Sequence, residues 1–444
     1  MDTIAAIATS HGVGSIAVIR LSGPASLSIA KKLSKKDNFT PRHATLTSLF
    51  DTSDDLIDES LVIYFQAPRS FTAEDVIEFQ CHGGKVVADM ILTEVLKHGA
   101  RLADPGEFSK RAFLNGRIDL TEAEAIAKLI ETKSIDAAKI LTRQMKGEVK
   151  EFVESVRENL VEVLAFVEVN IDYAEEDLPQ DLMDQIKNKL DDLRVELKKT
   201  YESSKRREGL INGFKVAIVG KPNVGKSSLL NSLLNYERAI ISDIAGTTRD
   251  TIEEEIRIGT HLIKIVDTAG IREANDVIEK IGIERSKMAI EESDIVIAMF
   301  DNSREFDDED AQIIDMLNTY NEKDILHIIN KSDLDSKLDF SSLHVDALKL
   351  NCFEQADNIA LEIEKILDKS SLDDSLLLSS KRQMEAVKTT YESIEASTDL
   401  LSEGELELFA FHLNEAIMSI SAISRNFDRV EILDKMFGSF CLGK

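Results

Sequence analysis

Gly220-Lys221-Pro222-Asn223-Val224-Gly225-Lys226-Ser227 spells G-x-x-x-x-G-K-S in the middle of a 444-residue chain. The run before it, Lys215-Val-Ala-Ile-Val219, is short, apolar and β-branched; the run after it, Ser227-Ser-Leu-Leu-Asn-Ser-Leu-Leu234, has helical spacing. Strand, glycine loop and helix form the context in which this pattern cradles phosphate. Loop amides and the helix N-terminus point at the anion, Lys226 reaches the β and γ oxygens, and the Ser227 hydroxyl ligates Mg2+. Val224, Gly225 and Ser228 line the same turn.

Three further motifs follow in order. Asp267-Thr268-Ala269-Gly270 comes after the apolar run His261–Val266, which puts a carboxylate near Mg2+ and a glycine amide near the γ-phosphate. Between the two lies Gly246-Thr247-Thr248-Arg249-Asp250, a switch loop by position, with Thr248 offering a second hydroxyl to Mg2+. Asn330-Lys331-Ser332-Asp333 closes a later apolar run, and the Asp333 carboxylate suits the N1–H and 2-amino donors of guanine, which adenine lacks. GTP is therefore the expected nucleotide. Two positions depart from the common pattern. Ile271 stands where a Gln would orient the attacking water, leaving Glu279 and Arg272 as candidates for that role and Arg249 or Arg272 for an arginine finger. Asn351-Cys352 stands where Ser-Ala usually completes the guanine contacts.

Working outward, residues 213–372 alternate short β-branched runs with turns or helices, the texture of a parallel sheet wound with helices. Residues 1–119 read as a smaller α/β unit, with strands at 3–9, 15–21, 61–65 and 75–81 and helices at 84–98 and 107–114. From Thr121-Glu-Ala-Glu124, which reads as a capping box, a helical tract runs to about Lys205 with a break near Asp177–Pro179. Helical texture returns after Asp373. The expected layout is thus an N-terminal α/β domain (1–119) and a helical domain in two halves (120–212 and 373–444) interrupted by a P-loop domain (213–372).

The formal charge of -28 argues against gripping nucleic acid by bulk electrostatics. Residues 1–120 hold 13 Lys+Arg against 15 Asp+Glu, so 26 of the 28 negative charges belong to the remainder. Three cysteines, Cys81, Cys352 and Cys441, make no C-x-x-C pair, and the odd number fits a reducing compartment. No apolar run approaches the ~18–20 residues of a membrane span, and the start lacks a basic signal-peptide region, so the expected location is cytoplasmic.

Together, Gly220–Ser227, Asp243-Ile244-Ala245-Gly246-Thr247-Thr248-Arg249-Asp250, Asp267–Gly270, Asn330–Asp333 and the terminal Phe440-Cys-Leu-Gly-Lys444 resemble the MnmE (TrmE) family of tRNA modification GTPases. The N-terminal part adds Gly14-Ser-Ile-Ala-Val-Ile-Arg20, Asp75-Val-Ile-Glu78, His82-Gly-Gly84 and Arg111-Ala-Phe-Leu-Asn-Gly-Arg117 in the family's order. The resemblance implies a homodimer paired through its N-terminal α/β domains, which bind 5-formyl- or 5,10-methylene-tetrahydrofolate through Arg20, Glu78, Arg117 and Lys444. It also implies a Ras-like GTPase domain activated by K+ and by face-to-face pairing. Asn223 would ligate the K+, helped by Ser242, Ile244 and Thr247, and the ion would do the work of the missing finger. Glu279 would orient the water. Cys441 lies three residues before Lys444 and is the candidate for chemistry at the one-carbon unit.

The activity so implied is addition of a (carboxymethyl)aminomethyl group to C5 of the wobble uridine of certain tRNAs, with an FAD-bearing MnmG (GidA)-type partner. Two alternatives stand beside it: an Era-like ribosome-assembly GTPase, which predicts a basic RNA-binding appendage, and a stand-alone folate-dependent aminomethyltransferase with a regulatory GTPase domain.

Overall fold

The computed structural model describes residues 2–10, 12, 14–172, 180–240, 254–266, 287–320, 322–339, 345–371, 375–424, 437–438, 440 and 443. Two compact units are present. Met1–Ile130, Gln144–Asp191 and Thr389–Lys444 make the first; Glu131–Arg143 and Asp192–Lys388 make the second.

In the first unit, strands β1 (Ile4–Ile7), β2 (Ile16–Ser22), β3 (Ala44–Phe50), β4 (Leu56–Phe65), β5 (Val76–His82) and β6 (Arg101–Leu102) form one sheet in the order β3-β4-β5-β2-β1-β6. Neighbours are antiparallel except β1 and β6. Alternation decides the two faces. Ala17, Ile19 and Leu21 of β2, with Ile77 and Phe79 of β5, pack under α1 (Ser26–Ser34) and α2 (Lys85–Lys97). The opposite face carries Arg20 and Glu78, and toward its far side the exposed Ile16, Leu46 and Leu61.

Strand β3 was not expected from the sequence, and β4 begins earlier than 61. Its first half holds Asp58 and Glu59, charges that read as loop, yet Asp58 is committed to the sheet by bonds to the His82 amide (2.9 Å) and ring Nδ1 (2.7 Å). Helix α3 (Glu107–Leu114) falls where the periodicity put it.

The helical tract resolves into α4 (Leu120–Glu131), α5 (Ile135–Met145), α6 (Glu148–Asp172) and α7 (Gln180–Arg206). Its capping box lies two residues earlier than Thr121–Glu124. The Asp119 carboxylate accepts the Glu122 amide at 2.9 Å, and the Glu122 carboxylate accepts the Asp119 amide at 2.7 Å. Thr121 is buried in the first turn, with its hydroxyl donating to Asp119. Asp accepts as well at an N-cap as Thr, and Arg117-Ile118 cannot extend the helix backwards once Asp119 has taken the cap. The tract also breaks at Ser134, which caps α5 through the Ala137 amide, and at Gly147, whose φ of 101° ends the helical run.

In the second unit, after the short helix α8 (Glu208–Asn212), strands β7 (Phe214–Gly220), β8 (Glu254–Ile258), β9 (His261–Val266), β10 (Ile295–Asp301), β11 (Asp324–Asn330) and β12 (Ala347–Lys349) take the order β12-β11-β10-β7-β9-β8. All pairs are parallel except β8 with β9. Every residue of β10 is buried, because helices cover both faces. Leu229, Leu230 and Leu233 of α9 (Lys226–Ile240) form one layer of core, and Leu317 of α10 (Asp308–Leu317) belongs to the other. Helix α11 (Ala356–Ser371) adds Ile359 and Ile363 to the α9 side. Helices α12 (Lys381–Glu403) and α13 (Leu406–Ser421) return to the first unit, where α13 packs along α6. The architecture is an α/β domain and a helical domain interrupted by a doubly wound, Ras-like domain.

The hairpin turn between β8 and β9 is tied to the start of α5. The Thr260 carbonyl accepts both the Ser134 hydroxyl (2.9 Å) and the Ile135 amide (3.2 Å), and its own hydroxyl donates to Asp136 at 2.6 Å. Lys133 pairs with Glu255 nearby.

Candidate functional site

Parallel strands present their C-terminal ends on one edge of the sheet, where ligands bind in open α/β folds. At that edge the loop after β7 and the loop after β11 flank the end of β10. In the first loop Asn223 has φ 65° and Gly225 φ 107°. A Cβ at Gly225 would lie 2.2 Å from the Asn330 side-chain nitrogen, so the close approach of the two loops requires glycine there. Lys226 donates to the carbonyls of Gly220 (2.7 Å) and Lys221 (2.9 Å), and burial pushes its pKa down. An ammonium stripped of water inside a loop of backbone groups fits an incoming phosphate, which restores the lost solvation. Ser227 and Ser228 open α9 and are exposed.

Asn330, 4 % exposed, joins the loops. Its Nδ2 donates to the Val224 carbonyl at 2.8 Å, and its Oδ1 accepts the Cys352 amide at 2.9 Å. The amide at Cys352 is thus tied to the loop after β11. Asn351 holds the turn by accepting the Phe353 amide at 3.1 Å. Cys352 itself is buried, which raises its thiol pKa to about 12; the same effect raises Cys81 to about 11. Neither is a nucleophile at neutral pH.

Lys331 has φ 64° and its ammonium lies 2.6 Å from Asp301. Burial alone would raise the Asp301 pKa, but the bonds from Lys331 and Ser303 outweigh it and hold the carboxylate below its ordinary range. Asp333 is exposed at the loop. Lys221 is a site residue that its place in the glycine loop did not disclose: it is 6 % exposed and bonds Asp307 and Asp310, each at 2.7 Å. Its partners do have a sequence signal, since Asp307-x-x-Asp310 forms the capping box of α10. Ser242, Asp243, Ile244, Ala245, Gly246, Thr247, Thr248, Arg249, Asp267, Thr268, Ala269, Gly270, Arg272, Glu279, Cys441 and Lys444 lie outside the described residues.

Of the four residues expected to hold folate, the first unit pairs two, Arg20 and Glu78. Arg20 and Glu78 are direct partners across β2 and β5, joined by bonds of 2.8 and 2.9 Å. The Arg20 guanidinium also lies 5.7 Å from the Phe71 ring centre and 5.8 Å from that of Phe108. Arg117 donates to the carbonyl of Ser70, the neighbour of Phe71, at 3.4 Å. The loop bearing Phe71 is anchored from below by Arg111, which reaches Glu74, Glu107 and Asp2, and by Asn115, which donates to the Thr72 carbonyl. Near the C-terminus Gly443 sits so close to β1 that a Cβ would come within 2.6 Å of the Ile7 carbonyl. Phe71 and Phe108 escape sequence reasoning because only the folded loop sets them against Arg20.

Two family profiles match this chain: one described as GTP-binding protein TrmE N-terminus over residues 3–117, and one described as MnmE helical domain over residues 120–441. Similar full-length proteins named tRNA modification GTPase MnmE include that of Sulfurimonas denitrificans, 61 % identical over 100 % of this chain and 99 % of its own length. Those of Nitratiruptor sp. (61 %) and Aliarcobacter butzleri (57 %) are matched over the same shares. With both profiles and these relatives spanning it end to end, the chain belongs to the MnmE (TrmE) family of tRNA modification GTPases.

Proposed function

We propose that this protein hydrolyses GTP and, with an FAD-bearing MnmG (GidA)-type partner, adds a (carboxymethyl)aminomethyl group to C5 of the wobble uridine of certain tRNAs in the cytoplasm. The domain layout that goes with this reading is an N-terminal α/β domain (1–119), a helical domain in two halves (120–212 and 373–444) and a GTPase domain (213–372). One observation carries the reading: Gly443 is seated against Ile7 of β1, the neighbour of the strand that bears Arg20. A Ras-like GTPase has no use for such a second polar face. The Era-type alternative accounts for the nucleotide domain and leaves residues 3–117 unexplained.

In the nucleotide domain Lys226 binds the β and γ oxygens and Asp333 reads guanine. Mg2+ would be held by Ser227 and Thr248, and K+ by Asn223 with Ser242, Ile244 and Thr247. These ions, when bound, neutralise charge that builds on the phosphates. Glu279 orients the attacking water. In the N-terminal domain, two Arg and Lys444 suit the acidic tail of a folate, and Glu78 suits the donor edge of its pterin. The folate supplies the one-carbon unit, with Cys441 placed close enough in sequence to Lys444 to reach it. The exposed Ile16, Leu46 and Leu61 on one sheet face support a homodimer.

Mass spectrometry of tRNA from cells lacking the protein tests the proposal. Loss of the modified wobble uridine, restored by the gene, is expected; unchanged uridines would sink it. Exchanging K+ for Na+ should slow GTP turnover strongly with nucleotide affinity retained, and equal turnover in both salts would remove Asn223 from the ion site.

A further inference from the structure

Strand β10 lies between β7, which leads to the phosphate loop, and β11, which leads to the guanine loop. Whatever follows β10 is therefore placed between the two loops. The segment Asp301–Asp310 bonds to both. On the β11 side Asn302, 1 % exposed, donates from its side chain to the carbonyls of Lys331 (3.4 Å) and Leu334 (3.1 Å) and accepts the Ser336 hydroxyl at 2.9 Å. Its backbone amide donates to the Asn330 carbonyl, and its carbonyl accepts the amides of Lys337 and Leu338. Asp301 holds the Lys331 ammonium. On the β7 side Asp307 and Asp310 hold Lys221.

A single buried residue that bonds the turn from 330 to 338 at six points, three through its side chain and three through its backbone, is unusual support for a loop otherwise exposed at Asp333, Leu334 and Asp335. Loops that carry binding groups are mobile unless a scaffold fixes them. The carbonyls of Lys331 and Leu334 bracket Asp333, so the two Asn302 N–H bonds fix the backbone on both sides of the carboxylate that faces guanine. Lys331 is also held in the left-handed region, where a non-glycine residue needs such support.

We infer that the β10–α10 connection positions both nucleotide loops, with Asn302 the positioning residue that sets how sharply Asp333 discriminates guanine. The inference rests on the assignment of Asp333 as the guanine acceptor. Hypoxanthine lacks the 2-amino group that Asp333 accepts, so the ratio of IDP to GDP dissociation constants reads that contact alone. A loop merely needed for folding would not change this ratio. Lys221, by contrast, acts on the phosphate side, which the two nucleotides share.

The experiment is competition of GDP and IDP against a fluorescent GDP analogue on the full-length protein, its Asn302→Ala, Ser336→Ala and Lys221→Met variants, each checked for cooperative thermal unfolding. The parent should prefer GDP; a parent that does not would refute the Asp333 assignment itself. In Asn302→Ala the GDP affinity should fall about tenfold or more and the preference over IDP should shrink by a similar factor, as expected for the loss of the three side-chain hydrogen bonds of Asn302. Lys221→Met should weaken both nucleotides together and leave the ratio in place. Should Asn302→Ala not fold, Ser336→Ala, at an exposed position, removes one of the Asn302 bonds and should narrow the ratio by about threefold. A ratio within twofold of the parent in the folded variant, or a Lys221→Met variant that narrows it equally, would overturn the inference.

Discussion

Asn330 Nδ2 and the Val224 carbonyl are 2.8 Å apart, so the loop after β11 and the glycine loop after β7 share a buried hydrogen bond. This contact exists because residue 225 has no side chain. Gly225→Ala places a methyl 2.2 Å from that same nitrogen, at φ 107°. Backbone strain of about 1–3 kcal/mol adds to the clash. Calorimetric titration with GDP should show affinity reduced at least tenfold, by a strain of about 1.4 kcal/mol or more. The first unit, which this substitution does not touch, should unfold as before.

Arg20 and Glu78 are each only partly covered, with side chains 24 % and 15 % exposed. Glu78→Ala leaves the guanidinium between two phenyl rings without its counter-charge. A loss of about 1–3 kcal/mol of stability is expected, between the values for surface and buried pairs. A double-mutant cycle with Arg20→Ala, followed by denaturant titration, isolates the pair, and folate titration of the same proteins tests their role in binding. Undiminished folate affinity in both single variants would remove them from that site.

Acid should loosen the first unit through Asp2. The bond from Arg101 lowers its pKa from 3.8 to about 2, against a smaller opposing effect of burial. Burial would raise the pKa of Glu107 in the same cluster, but the bonds from Arg101, the Asp104 amide and Arg111 together outweigh it and lower it. A depressed carboxylate pKa stabilises the fold above the unfolded value and ceases to do so as pH falls through the folded one. Asp2→Asn should therefore cost about 0.5–1 kcal/mol at neutral pH, a figure kept small because the carboxylate is half exposed. Melting temperatures of parent and variant should converge between pH 4 and pH 2, and a constant gap across that window would contradict the assignment.

The start of α4 offers a local test. Asp119→Ala removes the acceptor for the Glu122 amide and the partner of the buried Thr121 hydroxyl, and should destabilise the protein by about 1–2 kcal/mol. Chemical denaturation checks it. Asp119→Ser should recover much of the loss, since serine caps nearly as well.

The nucleotide domain was legible because its chemistry is local. A glycine loop, a strand and a helix adjoin in sequence, and Asn330–Asp333 follows its own strand directly. The parallel strands followed from the alternation of textures, and the order of the strands did not. What escaped was set by distance or by compensation. Lys221 looked like a variable position until Asp307 and Asp310 came to it from 86 and 89 residues away. Strand β4 was read short because Asp58 and Glu59 carry charge, which the His82 contact repays only in the folded sheet. The capping box was assigned to Thr121 because a threonine and a glutamate had the right spacing; Asp119 and Glu122 have it too, and the register of the helix chose between them.

One consequence follows from the way Thr260 is fastened to Ser134, Ile135 and Asp136. Strand β9 runs parallel to β7, so its Val266 end lies on the phosphate edge and its His261 end on the opposite edge. The β8–β9 hairpin is thereby pinned at its turn, and it spans the sheet from the edge where the β7 loop begins to the first turn of α5.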